Sequence, residues 1–145
     1  QSQWNQLPAA ARKDCGVFTA YARGLVNVGK ENEAEPLVRK RLKQGYVPEL
    51  ASLYAGLDEV SLQKRLDVLE GLVDAHPEDP RLLEVCGDLA RDHDEAEKAR
   101  DYYARRVDAA PDAATFEKLA GVLERLGDAD AAMDAYRAGL KVANR

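Results

Sequence analysis

The sequence predicts an all-α fold, a superhelical stack of antiparallel helix pairs, and three observations predict it. Apolar residues recur at i, i+3, i+4 and i+7, the spacing of one helix face. That pattern returns about every 33 residues along the chain. Gly29 and Gly127 stand where the first helices of their pairs should stop, and Pro77 and Pro111 close two of the pairs. Composition agrees: 46% hydrophobic and 32% charged residues suit a chain that buries a core rather than a disordered tail. Aromatic residues are only 6%, and Ala and Leu, both strong helix formers, dominate.

Taken in order, residues 1–13 carry Trp4, Leu7 and the run Ala9, Ala10, Ala11. They are expected to be the remnant of an earlier helix, with Trp4 anchoring a cap over the first pair. Residues 14–45 form the first pair. Phe18, Tyr21, Ala22 and Leu25 mark one helix, Gly29 the turn, and Ala34, Val38 and Leu42 the second helix. Residues 46–79 form the second and least regular pair, opened by Pro48 and closed by Pro77. Its helices carry Leu50, Leu53, Tyr54 and Leu57, then Leu69 and Val73. Arg65 stands where the other pairs have Ala, and Tyr54 where they have Ala or Gly, so a wider or tilted helix pair is expected there.

Residues 80–112 form the third pair, with Leu83, Cys86, Gly87 and Ala90, then Ala99, Tyr103 and Val107, and Pro111 at the close. Residues 113–145 form the fourth, with Phe116, Leu119, Ala120 and Leu123, then Gly127, then Ala132, Tyr136 and Leu140. Together 1–145 is read as a single domain. Capping residues support the boundaries. Asp79-Pro80 reads as N-cap and first helical residue, Asp94 with Glu97 as a capping box, and Asp112 and Asp128 as further N-caps. A small residue late in the first helix, another early in the second, an aromatic near the second helix's middle and a closing Pro resemble the tetratricopeptide repeat.

The order of several short stretches carries the resemblance further. They are Trp4 with Leu7-Pro8, then Tyr21-Ala22 and Gly29; Tyr46-Val47-Pro48 leading to Leu53-Tyr54 and Leu57; His76-Pro77, Asp79-Pro80 and Leu82-Leu83; Lys98-Ala99-Arg100 with Tyr103; and Leu119-Ala120, Leu123, Leu126-Gly127, Tyr136-Arg137 and Leu140. In this order they resemble the C-terminal tetratricopeptide region of the proteobacterial HemY family, membrane-anchored proteins associated with protoheme biosynthesis. The resemblance implies a soluble domain held at the bacterial inner membrane by N-terminal helices that this chain lacks, and facing the cytoplasm. It implies other proteins as partners, late heme-synthesis enzymes among them, and no catalytic activity.

Composition and motifs exclude several function classes. The net charge is −5 with both signs interspersed, so no basic stripe supports nucleic-acid binding. No apolar run approaches the roughly 20 residues of a membrane helix. No serine-elbow motif, glycine-rich phosphate loop or zinc spacing occurs, and neither cofactor, metal nor catalytic residue is expected. Asp92-His93-Asp94-Glu95 is explained by capping and solvation rather than by a metal. His76 and His93 fall in turns, where an apolar slot for a porphyrin is not expected. Cys15 and Cys86 read as two small buried residues, not as a disulfide, which mildly favours a reducing compartment.

Partner-binding side chains should lie on the first helices, off their packing stripes. The candidates are Arg23 with Thr19 in the first pair, Arg81, Glu84, Asp88 and Arg91 in the third, and Ala114, Glu117, Gly121 and Glu124 in the fourth, with Leu50 or its neighbours in the irregular second pair. A clamp for a peptide's terminal carboxylate, which needs Lys and Asn at such positions, is not supported. Acidic third and fourth pairs favour a partner segment bearing Lys or Arg. The function expected is a non-catalytic protein–protein scaffold. The alternatives are direct carriage of heme or a porphyrin, and a self-association or spacer module forming a homo-oligomer.

Overall fold

A computed structural model describes residues 14–145. Eight helices and no strand occur among the described residues: α1 Cys15–Asn27, α2 Glu31–Gln44, α3 Pro48–Ala55, α4 Leu62–Ala75, α5 Pro80–Asp92, α6 Ala96–Ala109, α7 Ala113–Arg125 and α8 Ala129–Ala143. The architecture is all-α and tetratricopeptide-like. The cap expected over 1–13 lies outside the described residues.

Contacts divide the chain into two compact units, one through Val68 and one from Leu69 to Arg145. In the first, α1 packs on α2 and α3, and α2 packs on α3. Phe18, Ala22, Val38, Leu42, Leu50 and Ala51 form its interior. In the second, α5 packs on α6, α6 on α7, and α7 on α8. One cluster there runs from Ala90 and Ala99 through Tyr103 and Val107 to Leu119, Val122, Leu123 and Ala132.

Helix starts follow the aspartates. Asp14, Asp79, Asp112 and Asp128 each accept a hydrogen bond from the backbone N–H three residues on, satisfying a donor the helix leaves open. Pro48 and Pro80 begin α3 and α5, where a missing N–H removes no helical bond. Asp94 departs from its expected capping box. It sits at φ 62°, the position that Gly29 (φ 81°) and Gly127 (φ 79°) fill in the other pairs. All three turns make the same two bonds: Gly29, Asp94 and Gly127 donate to Val26, Arg91 and Glu124, and the next residues donate to Leu25, Ala90 and Leu123. The helix-ending turn decides the residue's role, so Asp94 closes α5 and Glu95 precedes α6 without a side-chain cap.

The second pair is irregular for a visible reason. Its first helix stops at Ala55, and Leu57, expected on that helix, is fully buried in the turn after it. Arg65, only 2% exposed, donates Nη1 to the Ala55 carbonyl at 2.7 Å and pairs with Asp58 at 3.6 Å. The guanidinium thus satisfies the C-terminus of the shortened helix, a task that Ala could not perform. Tyr54 is buried against α2, where its hydroxyl donates to Glu35 Oε2 at 2.7 Å.

Three further expectations are corrected. Tyr136 and Leu140 were placed in the core but are 38% and 64% exposed, and α8 buries Ala132, Ala135 and Gly139 instead. The equivalent residues of α6 are covered by α7, and no described helix covers α8 in that way. Cys15 is exposed, with Arg41 Nη2 donating to its sulfur at 2.9 Å. Cys86 is buried as expected, its thiol pushed up to about 12 by burial. Thr19 and Leu50, offered as groove residues, are buried.

Candidate functional site

The first helices α5 and α7 meet through a lysine. Lys118 of α7 donates Nζ to Glu84 Oε2 at 2.8 Å and to Asp88 Oδ1 at 3.0 Å, both on α5. Lys118 and Glu84 lie 34 residues apart, so the contact joins nearly equivalent points of successive pairs. Its ammonium also lies 5.9 Å from the centroid of the Tyr103 ring. Burial works against the lysine's charge, but the bonds to Glu84 and Asp88 outweigh it and hold the ammonium above the ordinary lysine range.

Both carboxylates are occupied from a second side. Tyr103 donates its hydroxyl to Asp88 Oδ1 at 2.6 Å, and Arg106 donates Nε to Glu84 Oε1 at 3.3 Å. Burial and the Asp88 bond both raise the Tyr103 hydroxyl, which therefore stays protonated as a donor. Two carboxylates face three cations, Lys118, Arg106 and Arg91, and a phenol, so their charge is matched inside the fold. The expectation that this face offers free acid to a basic partner is corrected for Glu84 and Asp88. They tie α5 to α6 and α7.

Beside this junction lies a recess lined by Arg91, Glu117, Lys118, Gly121, Val122 and Arg125. Arg91 stands near the end of α5, with Nη1 3.8 Å from Asp88 and Nε donating to Asp92 at 3.0 Å. Arg125 donates to the Arg91 carbonyl at 3.4 Å. A Cβ at Gly121 would meet nothing within 4 Å, so the floor of the recess is open. Glu117 is exposed and forms no hydrogen bond or ion pair with another described residue.

The structure therefore brings Glu84, Asp88 and Arg91 of α5 together with Glu117 and Gly121 of α7. Arg81 is exposed on α5 but lies outside the recess lining, and Arg23 is exposed on α1 in the other unit. Sequence reasoning missed Lys118 and Arg125. Lys118 directly precedes the packing residue Leu119, and nothing in a one-stripe pattern shows that a neighbouring helix lies within its reach.

A second polar cluster occupies the first unit. Glu35 accepts from Tyr54 and from Arg39 Nε at 2.8 Å, and Lys64 Nζ lies 3.6 Å away. Burial alone would raise its carboxyl, but the bonds from Arg39 and Tyr54 and the charges of Arg39 and Lys64 together hold it below the usual range. His76 and His93 are exposed at helix ends, with His93 Nδ1 3.0 Å from the Leu89 carbonyl. No group of three or more metal-ligating side chains occurs among the described residues, and no described helix is long and apolar enough to cross a membrane.

Comparison with solved structures agrees with this architecture. No family model and no curated protein matches the chain. Among solved structures, MamA AMB-1 superposes with a TM-score of 0.68 at 14% identity, over 97% of this chain and 79% of that one. MamA from residue 41 to the end, from Desulfovibrio magneticus RS-1, gives 0.68 at 20% identity over 90% and 76%. A further MamA crystal structure gives 0.71 at 14% identity over 95% and 83%. At these identities the likeness is one of fold, and the chain shares with MamA a tetratricopeptide-like helical repeat.

Proposed function

We propose that this chain is a non-catalytic scaffold that holds a segment of another protein in the recess between α5 and α7. The observation that supports the reading is the pairing of a rigid frame with an open floor. Lys118 clamps α5 to α7 through Glu84 and Asp88, while Gly121 leaves room and Arg91, Glu117 and Arg125 present charge at the rim. Bidentate arginines on helices suit a carboxylate-bearing peptide better than a point charge would. Glu84 and Asp88 are structural, held by Lys118, Tyr103 and Arg106, and Glu117 is the acid of the recess left open to a partner.

The sequence resemblance supports a finer proposal. The chain is the soluble domain of a HemY-like protein, anchored at the inner membrane, facing the cytoplasm and recruiting enzymes of late heme synthesis. The test is affinity capture from a membrane extract, with the 145-residue chain as bait and a Gly121→Glu, Arg125→Glu variant as control. Recovery of one or a few proteins, lost with the variant, is the expected result. Equal recovery by bait and variant would refute the recess as the site, and recovery of proteins outside heme synthesis would refute the finer proposal.

A further inference from the structure

The last helix, α8, exposes a row of apolar side chains: Met133, Tyr136 and Leu140 are 52%, 38% and 64% exposed. They stand at i, i+3 and i+7, one face of the helix. Two of them have exact register partners one pair earlier. Tyr136 and Leu140 correspond to Tyr103 and Val107 of α6, which are 0% and 7% exposed in a cluster with α7, the Tyr103 ring also seated against Gly87 of α5. The chain therefore contains its own example of what this face accepts. The occupant of the α6 face is a helix with Thr115, Leu119 and Val122 buried along one side and Lys118 beside them, reaching Glu84.

The charge next to the α8 face repeats the same scheme. Glu117 is the register equivalent of Glu84, and it is exposed without a partner among the described residues. Glu124 accepts the Tyr136 hydroxyl, which places its carboxylate beside the apolar row, and Glu117 stands on α7 at the position from which Glu84 of α5 reaches Lys118. An apolar strip edged by an unmatched acid is complementary to an amphipathic helix whose apolar stripe is edged by Lys or Arg.

We propose that the face formed by Met133, Tyr136 and Leu140, with Glu117 beside it, docks an amphipathic helix of another protein that carries a basic residue at the position Lys118 holds in α7. The proposal rests on the scaffold reading; it shares Glu117 with the rim of the α5–α7 recess but uses neither Gly121 nor Arg125. It gives the protein a second surface, at the end of the second unit, with a different occupant.

The test uses a fluorescent, lactam-stapled helical peptide with the sequence of residues 112–126, whose helicity is checked by circular dichroism. Its binding to the chain is followed by anisotropy at concentrations where sedimentation shows the chain to be monomeric. Binding is expected, weakened at least about tenfold by Leu140→Asp or Met133→Asp, both at exposed positions, and unaffected by Gly121→Glu with Arg125→Glu. Glu117→Lys should weaken the peptide, and a peptide with Lys118→Glu should restore binding to that variant. Absence of binding, or binding indifferent to Leu140→Asp and to the charge exchange, would overturn the proposal. A chain that self-associates, and becomes monomeric on Leu140→Asp, would overturn it in favour of a second copy as occupant. Equal extract capture by the chain and its Gly121→Glu, Arg125→Glu variant, with intact peptide binding, would count against the recess alone.

Discussion

Gly87 and Gly121 lie in the middle of successive first helices, and replacing each with Ala should have opposite effects. Without contacts, Gly→Ala in a helix interior stabilises by about 1 kcal/mol. At Gly121 a Cβ would meet nothing within 4 Å, so the full gain is expected. At Gly87 the Cβ would stand 2.6 Å from Cε1 and 2.7 Å from Cδ1 of Tyr103. That ring cannot swing aside cheaply. It is fully buried, its hydroxyl is held by Asp88 at 2.6 Å, and Lys118 covers its face. Overpacking of this kind costs about 1–3 kcal/mol, and a locked ring belongs at the upper end. Net of the propensity gain, Gly87→Ala should destabilise by about 2 kcal/mol, lowering Tm by roughly 4–8 °C in a chain of this size. Gly121→Ala should raise Tm by roughly 2–4 °C. Thermal and urea unfolding followed by far-ultraviolet circular dichroism measure both. Combining Gly87→Ala with Tyr103→Leu, which removes the ring, should show a coupling of about 1–2 kcal/mol. A Gly87→Ala protein that melts at or above the wild-type temperature would refute the close approach.

Two further outcomes follow from the turns and the first unit. Asp94 holds the left-handed conformation that glycine holds in the equivalent turns, so Asp94→Gly should stabilise by about 0.5–1 kcal/mol in urea unfolding. A loss of stability would mean that the carboxylate, not the turn, is what the position requires. Glu35 has a lowered carboxyl pKa, so its stabilisation is fully present above the unfolded value of about 4.3 and is lost as pH falls through the lower folded value. Stability should therefore drop on acidification below about pH 4, and drop less steeply in Glu35→Gln, which keeps an acceptor for Tyr54 but cannot titrate. Identical pH slopes for the two proteins would show that the cluster's charge contributes nothing.

Much of the fold was legible along the chain. Aspartate caps, initial prolines and the 33-residue return of Leu, Ala and Tyr located the helices because these are local requirements, met within one or two turns of backbone. The site was legible only in part. Glu84, Asp88 and Glu117 were placed on the right helices, since their distance from the packing stripe follows from helical period. That Glu84 and Asp88 are neutralised was not legible, because Lys118 reaches them from 34 and 30 residues away. Asp94 misled for a related reason. Its type suits both an N-cap and a left-handed turn, and only the bonds to Arg91 and Ala90 distinguish them.

The sequence by itself determined the all-α class, the pairing of helices and the turns at Gly29 and Gly127, because hydrophobic period and backbone sterics act over a few residues. Tertiary structure alone decided which equivalent positions differ in fate. Tyr103 and Tyr136 occupy the same place in their repeats, yet one is sealed under a helix and bonded to Asp88 while the other stands half-open beside Glu124. Burial depends on whether a neighbouring helix covers the face, and no pattern within a single helix records that.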